Sequence, residues 1–125
     1  MTNTIPSEEI EQINFVQYLE LKGIDYWHTP NSTFSKHWSV KTRNKRLGVQ
    51  PGIPDLFLII NGKLHGCEMK RVKGGVLSVY QRTWIEKLEN AGIPTVVVKG
   101  CDEAIAYVEQ VLKTDKLVMK GHSNE

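Results

Sequence analysis

Two cysteines, Cys67 and Cys101, are all that the 125-residue chain contains, and they lie far apart. That excludes a paired zinc-ligand spacing and a dense disulfide framework, and makes a reducing interior the expected compartment. No apolar run approaches the roughly eighteen residues of a membrane span. No secretory leader opens the chain, and no repeat or low-complexity block interrupts it. The expectation is a soluble, cytoplasmic protein, not secreted, with no membrane partner and no small-molecule cofactor. Excess charge is also scarce. A net value of +2 is too small to argue for a polyanionic partner by itself. A hydrophobic content of 40% over 125 residues suits a single domain, 1–125, with one core.

The most informative stretch runs from Gly52 to Lys70. It sets the dipeptide Asn61-Gly62 between two apolar runs. This is the strongest short-range signal for a two-residue hairpin, because both loop residues need positive φ. Ile60 then pairs with Lys63, and the ladder carried to its far end sets Asp55 opposite Glu68. Opposed residues hold their Cβ atoms roughly 4.5–5.5 Å apart on one side of the sheet, and Lys70 shares that side by the two-residue alternation. Residues 56–60 are apolar on both faces, so this strand is expected inside the sheet.

Facing carboxylates repel unless positive charge lies between them. A divalent cation is the simplest occupant. Carboxylate oxygens are hard ligands suited to Mg²⁺ or Mn²⁺, and such a site completes its shell with waters and phosphate oxygens. Either carboxylate alone would pass as the solvated end of a strand. Together they outline a metal-dependent phosphodiesterase site.

Turns, caps and periodicity order the remaining elements. Ser7 before Glu8 and Glu9 reads as a helix start, with Ile10, Ile13, Phe15, Val16 and Leu19 as its apolar face and Gly23 as its stop. Residues 24–29 form a short strand, and residues 30–50 a long polar connection. After the hairpin, Ser78 and Gln81 have the spacing of a capping box, and Gly92 ends that helix. Residues 94–99 read as a buried strand, and Asp102 caps a last helix through Leu112. The core is then about 8–113, with 114–125 a flexible tail. The order α-β-β-β-α-β-α is an α/β fold, a mixed central sheet flanked by helices.

Pro54-Asp55 followed by Glu68-Met69-Lys70 on the next strand resembles the PD-(D/E)XK nuclease superfamily, with its restriction-endonuclease-like αβββαβ(α) core. The longer string from Lys45-Arg46 through Gly48, Gly52 and Asp55, then Gly74-Gly75, Ser78, Gln81-Arg82 and Trp84, is similar to its VRR-NUC branch. The resemblance runs from about Glu8 to Val98. It implies that Asp55 and Glu68 bind the metal with the backbone carbonyl of Met69. It also implies that Gln81 helps hold the nucleophile or phosphate, and that the first helix supplies one more metal-binding carboxylate. Glu11 is the choice for that carboxylate and Glu8 the competitor. Lys70, on the carboxylate face, is expected to position the attacking water and stabilise the transition state as a charged ammonium.

The cations are clustered. Lys36, Lys41, Arg43, Lys45 and Arg46 follow one another with no acid between them, and Arg71 and Lys73 follow the second motif strand. Such segments neutralise phosphates independently of sequence. His28, His37, His65 and His122 share no metal-ligand spacing, and His65 falls on the face away from the carboxylates; Asn31 resembles a family position that contacts the site. Tyr80 and Trp84 read as core or interface residues before base-stacking ones. The expected activity is a Mg²⁺- or Mn²⁺-dependent endonuclease leaving 5′-phosphate ends. By resemblance to small standalone members it would be a homodimer resolving Holliday junctions in a bacterial or phage-infected cell. A nicking, flap or restriction-like nuclease with a partner, or a noncatalytic DNA-binding module, are the alternatives.

Overall fold

The computed structural model describes residues 4–30 and 38–122, with side chains as far as Asp115. Helix α1 (Glu8–Lys22) begins where Ser7, in extended geometry, accepts the Ile10 N–H on its Oγ at 3.2 Å, and ends at Gly23 in the left-handed conformation. Both are helix-end devices that the sequence announces. Strand β1 (Asp25–His28), helix α2 (Trp38–Leu47), strands β2 (Leu56–Ile60) and β3 (Lys63–Lys70), helix α3 (Val79–Asn90), strand β4 (Thr95–Lys99) and helix α4 (Cys101–His122) follow.

The four strands form one sheet in the order β1-β2-β3-β4. The first two pairings are antiparallel and β3–β4 is parallel. A parallel neighbour needs a crossover, which α3 provides. Asn61 (φ 52°) and Gly62 (φ 79°) make the expected turn, and Ile60 pairs with Lys63 through to Leu56 with Cys67. That register sends Leu56, Leu58, Ile60, Cys67 and Met69 to one face, where they pack with Phe15 and Leu19 of α1 and Ala104 and Val108 of α4. Phe15 and Leu19 are wholly buried, each stabilising the fold by about 1.5–3 kcal/mol. Cys67 and Cys101 are free, buried thiols. His65 lies on this same face, its Nδ1 2.6 Å from the Tyr107 hydroxyl.

The other face carries Phe57, Ile59, Gly66, Glu68 and Lys70, with Trp27 of β1 stacked on Phe57 at 5.1 Å between centroids.

Two expectations are corrected. The connection 30–50 contains helix α2, which buries none of its residues. A helix without a core face leaves no apolar period to detect. The last helix starts at Cys101, so Asp102 lies in its first turn instead of capping it, and it runs past Leu112 through Thr114 to His122, in place of a tail from 114. Residues 114–119 contain neither glycine nor proline, and extending a formed helix costs far less than starting one. Among the described residues no helix is long and apolar enough to cross a membrane.

Candidate active site

The hairpin register delivers what its turn implies. Asp55 precedes the first ladder pair, and its Oδ2 accepts the Met69 N–H at 3.0 Å. Its backbone is pinned as well. The Asp55 carbonyl accepts the Thr29 N–H at 2.8 Å and lies 2.9 Å from His28 Nδ1. The Thr29 N–H therefore ties the motif backbone to the end of β1.

Glu68 is 1% exposed, in the middle of the sheet's site face. Its Oε1 accepts the Gln81 Nε2–H at 3.2 Å, and its Oε2 is buried without a donor. Burial first, and the adjacent Asp55 carboxylate next, push its carboxyl far above the ordinary range, against the opposing pull of Lys70. A carboxylate so placed either holds a proton shared with Asp55 or requires a cation.

Gln81 is the third residue of α3 and does two jobs at once. It completes the capping box: its N–H bonds Ser78 Oγ at 3.1 Å, and its Oε1 accepts the Ser78 N–H at 2.8 Å. The same Oε1 accepts from Lys70 Nζ at 3.0 Å, while the amide nitrogen reaches Glu68. One amide thus ties the helix start to both motif residues of β3. Lys70 is itself buried.

Of the two helix carboxylates, the structure brings Glu8 to the site and not Glu11. The Glu8 carboxyl is raised by burial and by the Asp55 carboxylate, with Lys70 opposing. Glu11 turns to the start of α4, where its Oε2 accepts the Cys101 N–H at 3.3 Å. That is a capping role. Glu11 was expected among the metal ligands; here its carboxylate bonds the start of α4. The basic residues divide likewise. Lys41, Arg43, Lys45 and Arg46 lie exposed along α2, Arg71 and Lys73 lie exposed beside the site, and Lys36 and Asn31 fall outside the described residues.

Sequence reasoning missed two close approaches. At Gly52 (φ 91°) a Cβ would stand 2.7 Å from the Gln81 nitrogen, so the loop before Asp55 rests directly on the start of α3. At Gly75 a Cβ would lie 2.9 Å from that of Lys70. The glycines were visible in the motif, but their neighbours were not.

The donor set fits a hard divalent cation. Asp55 and the orphaned Glu68 oxygen supply neighbouring carboxylate groups, and the Met69 carbonyl belongs to the residue whose N–H fixes Asp55. Among the described residues, no three His, Cys, Asp or Glu side chains gather as a closed metal cage.

No curated protein matches the chain. A solved structure described as a VRR_NUC domain protein aligns over 88% of this chain and 91% of that one with a TM-score of 0.69 and 23% identity, a likeness of fold. The sequence itself matches the VRR-NUC domain over residues 8–102, from the first turn of α1 to the start of α4, a span that takes in Asp55, Glu68, Lys70 and Gln81. By that match the chain belongs to the VRR-NUC family, domains of the nuclease, DNA-processing type.

Proposed function

We propose that this domain is a Mg²⁺- or Mn²⁺-dependent endonuclease that hydrolyses DNA phosphodiester bonds at Asp55, Glu68 and Lys70. The observation that carries the reading is the buried, donorless Glu68 oxygen beside a second carboxylate and a buried ammonium. A binding module has no use for such a costly arrangement.

When bound, the divalent ion supplies Lewis acidity toward water and the phosphate oxygens. The chain's own residues do the rest. Asp55, fixed through Met69, and Glu68, fixed through Gln81, would hold the ion, with Glu8 adding negative charge at the edge. Lys70 directs its ammonium to a nonbridging phosphate oxygen and steadies the charge that builds there in the transition state. Its bond to Gln81 keeps it aimed before substrate arrives. Water adds to phosphorus with loss of a proton, the bond to the 3′ oxygen breaks with that oxygen taking up a proton to leave as the 3′-hydroxyl, and a 5′-phosphate remains.

The finer proposal is a homodimer acting on branched DNA, with Holliday junctions as the preferred substrate. Support comes from the β1–β2 half of the site face, where Trp27 is 46% and Ile59 40% exposed beside the buried Phe57. A second copy seated there would cover that apolar surface and set two sites side by side. The test is cleavage of a labelled four-way junction, a flap and a linear duplex with Mg²⁺, Mn²⁺ or EDTA, with Glu68→Gln as control. Paired symmetric cuts that need metal and Glu68 support the full reading. Cutting of flap or duplex alone keeps the nuclease and removes the junction, and binding without cutting leaves a noncatalytic module.

A further inference from the structure

Tyr80 was expected in a core or interface, yet it is 62% exposed. Among the described residues its hydroxyl has no hydrogen-bond partner and its ring no aromatic or cation contact. Trp84, one turn on, differs, since Lys87 Nζ lies 4.9 Å from its ring centroid. Val79, beside Tyr80, is 72% exposed, and Val76 in the preceding loop 75%. An apolar cluster left open at a helix start is a feature to be explained.

Its place and its charge identify an occupant. The cluster adjoins the site, because Gln81 follows Tyr80 directly and reaches Glu68 and Lys70, while Gly75 of the same loop packs against the Lys70 side chain. In sequence it is flanked by Lys70, Arg71, Lys73 and Arg82, and the chain has no acidic residue between Glu68 and Glu86. An open aromatic among cations matches the two parts of an unpaired nucleotide, whose base stacks while its phosphates meet the charges. A base paired inside a duplex shows no free face.

We propose that Tyr80, backed by Val76 and Val79, is a stacking platform for an unpaired DNA base next to the phosphate that is cut, so that the site takes DNA where strands part. The proposal rests on the nuclease reading and adds to it what the substrate must present.

The test measures binding in EDTA, where no cutting occurs, by fluorescence anisotropy of a labelled flap and of a fully paired duplex. The wild type is compared with Tyr80→Ala and Tyr80→Phe, with circular dichroism confirming the fold of each. Tyr80→Ala is expected to weaken flap binding about fivefold or more, Tyr80→Phe to restore it, and duplex binding to stay unchanged. Equal weakening on flap and duplex, or no weakening on either, overturns the platform. So does a change in the protein's mass by light scattering with DNA binding intact, which assigns the cluster to a second copy. The two readings fail separately. A wild type that binds flap through Tyr80 but cuts nothing in Mg²⁺ sinks the nuclease alone, whereas one that cuts and is indifferent to Tyr80→Ala sinks the platform alone.

Discussion

Glu68 couples the site to the stability of the molecule. Its folded pKa is raised, so the folded state holds its proton more tightly than the unfolded chain does. In EDTA, stability is therefore fully present below the ordinary carboxylate range and is lost as pH rises from about 4.5 toward about 9. The slope reaches at most about 1.4 kcal/mol per pH unit for one proton. Urea midpoints across that range should fall for the wild type and stay level for Glu68→Gln, and Mg²⁺ should recover more stability at the alkaline end. The helix carboxylates should separate by assay. Glu8→Gln is expected to lower cleavage about 10- to 100-fold with little change in melting temperature. Glu11→Ala, which strips the Cys101 N–H of its acceptor, should cost about 1–2 kcal/mol in a denaturant titration. That division was not legible in the sequence. Residues three apart share a helix face, and only the angle at which α1 crosses the sheet decides which one meets Asp55. Asp55 and Glu68 were legible, because the Asn61-Gly62 turn dictates their opposition.

Among the elements, α2 and α3 contrast most. The capping box of α3 could be read from Ser78 and Gln81 alone, since its partners are three residues apart. The additional bonds from Gln81 to Lys70 and Glu68 depend on a crossover no local pattern encodes. Helix α2 was invisible for the opposite reason: it has no buried face. Its loss should therefore cost affinity and not stability. Replacing Lys41, Arg43, Lys45 and Arg46 with glutamine is expected to leave the melting temperature in place. The slope of log affinity against log salt should shrink by about 0.9 for each duplex phosphate contact removed, measured by anisotropy over a salt series. The loop that leads from α2 into β2 behaves otherwise. Gly52→Ala meets both a positive φ and the backbone of Tyr80 and Gln81, so it should destabilise the fold by about 1–3 kcal/mol and reduce cleavage together.

For the whole molecule, the sheet divides the work. Helices α1 and α4 seal one face into the core, whereas the opposite face holds the carboxylates at one end and the open Trp27 and Ile59 at the other. If a second copy covers that open end, Trp27→Glu should convert a dimer to a monomer in sedimentation and abolish paired cutting of a junction while single nicks persist. Such an assembly was never readable from one chain's residue order, because an interface has no partner in the sequence to pair with. The buried thiol of Cys67 has a different consequence. It sits on β3 directly before Glu68, and burial pushes it up to about 12, so neither access nor ionisation permits alkylation in the native state. Its labelling rate becomes a clock for the opening of the central strand, and a divalent cation, if held by Asp55 and Glu68, would slow that clock without touching the sulfur.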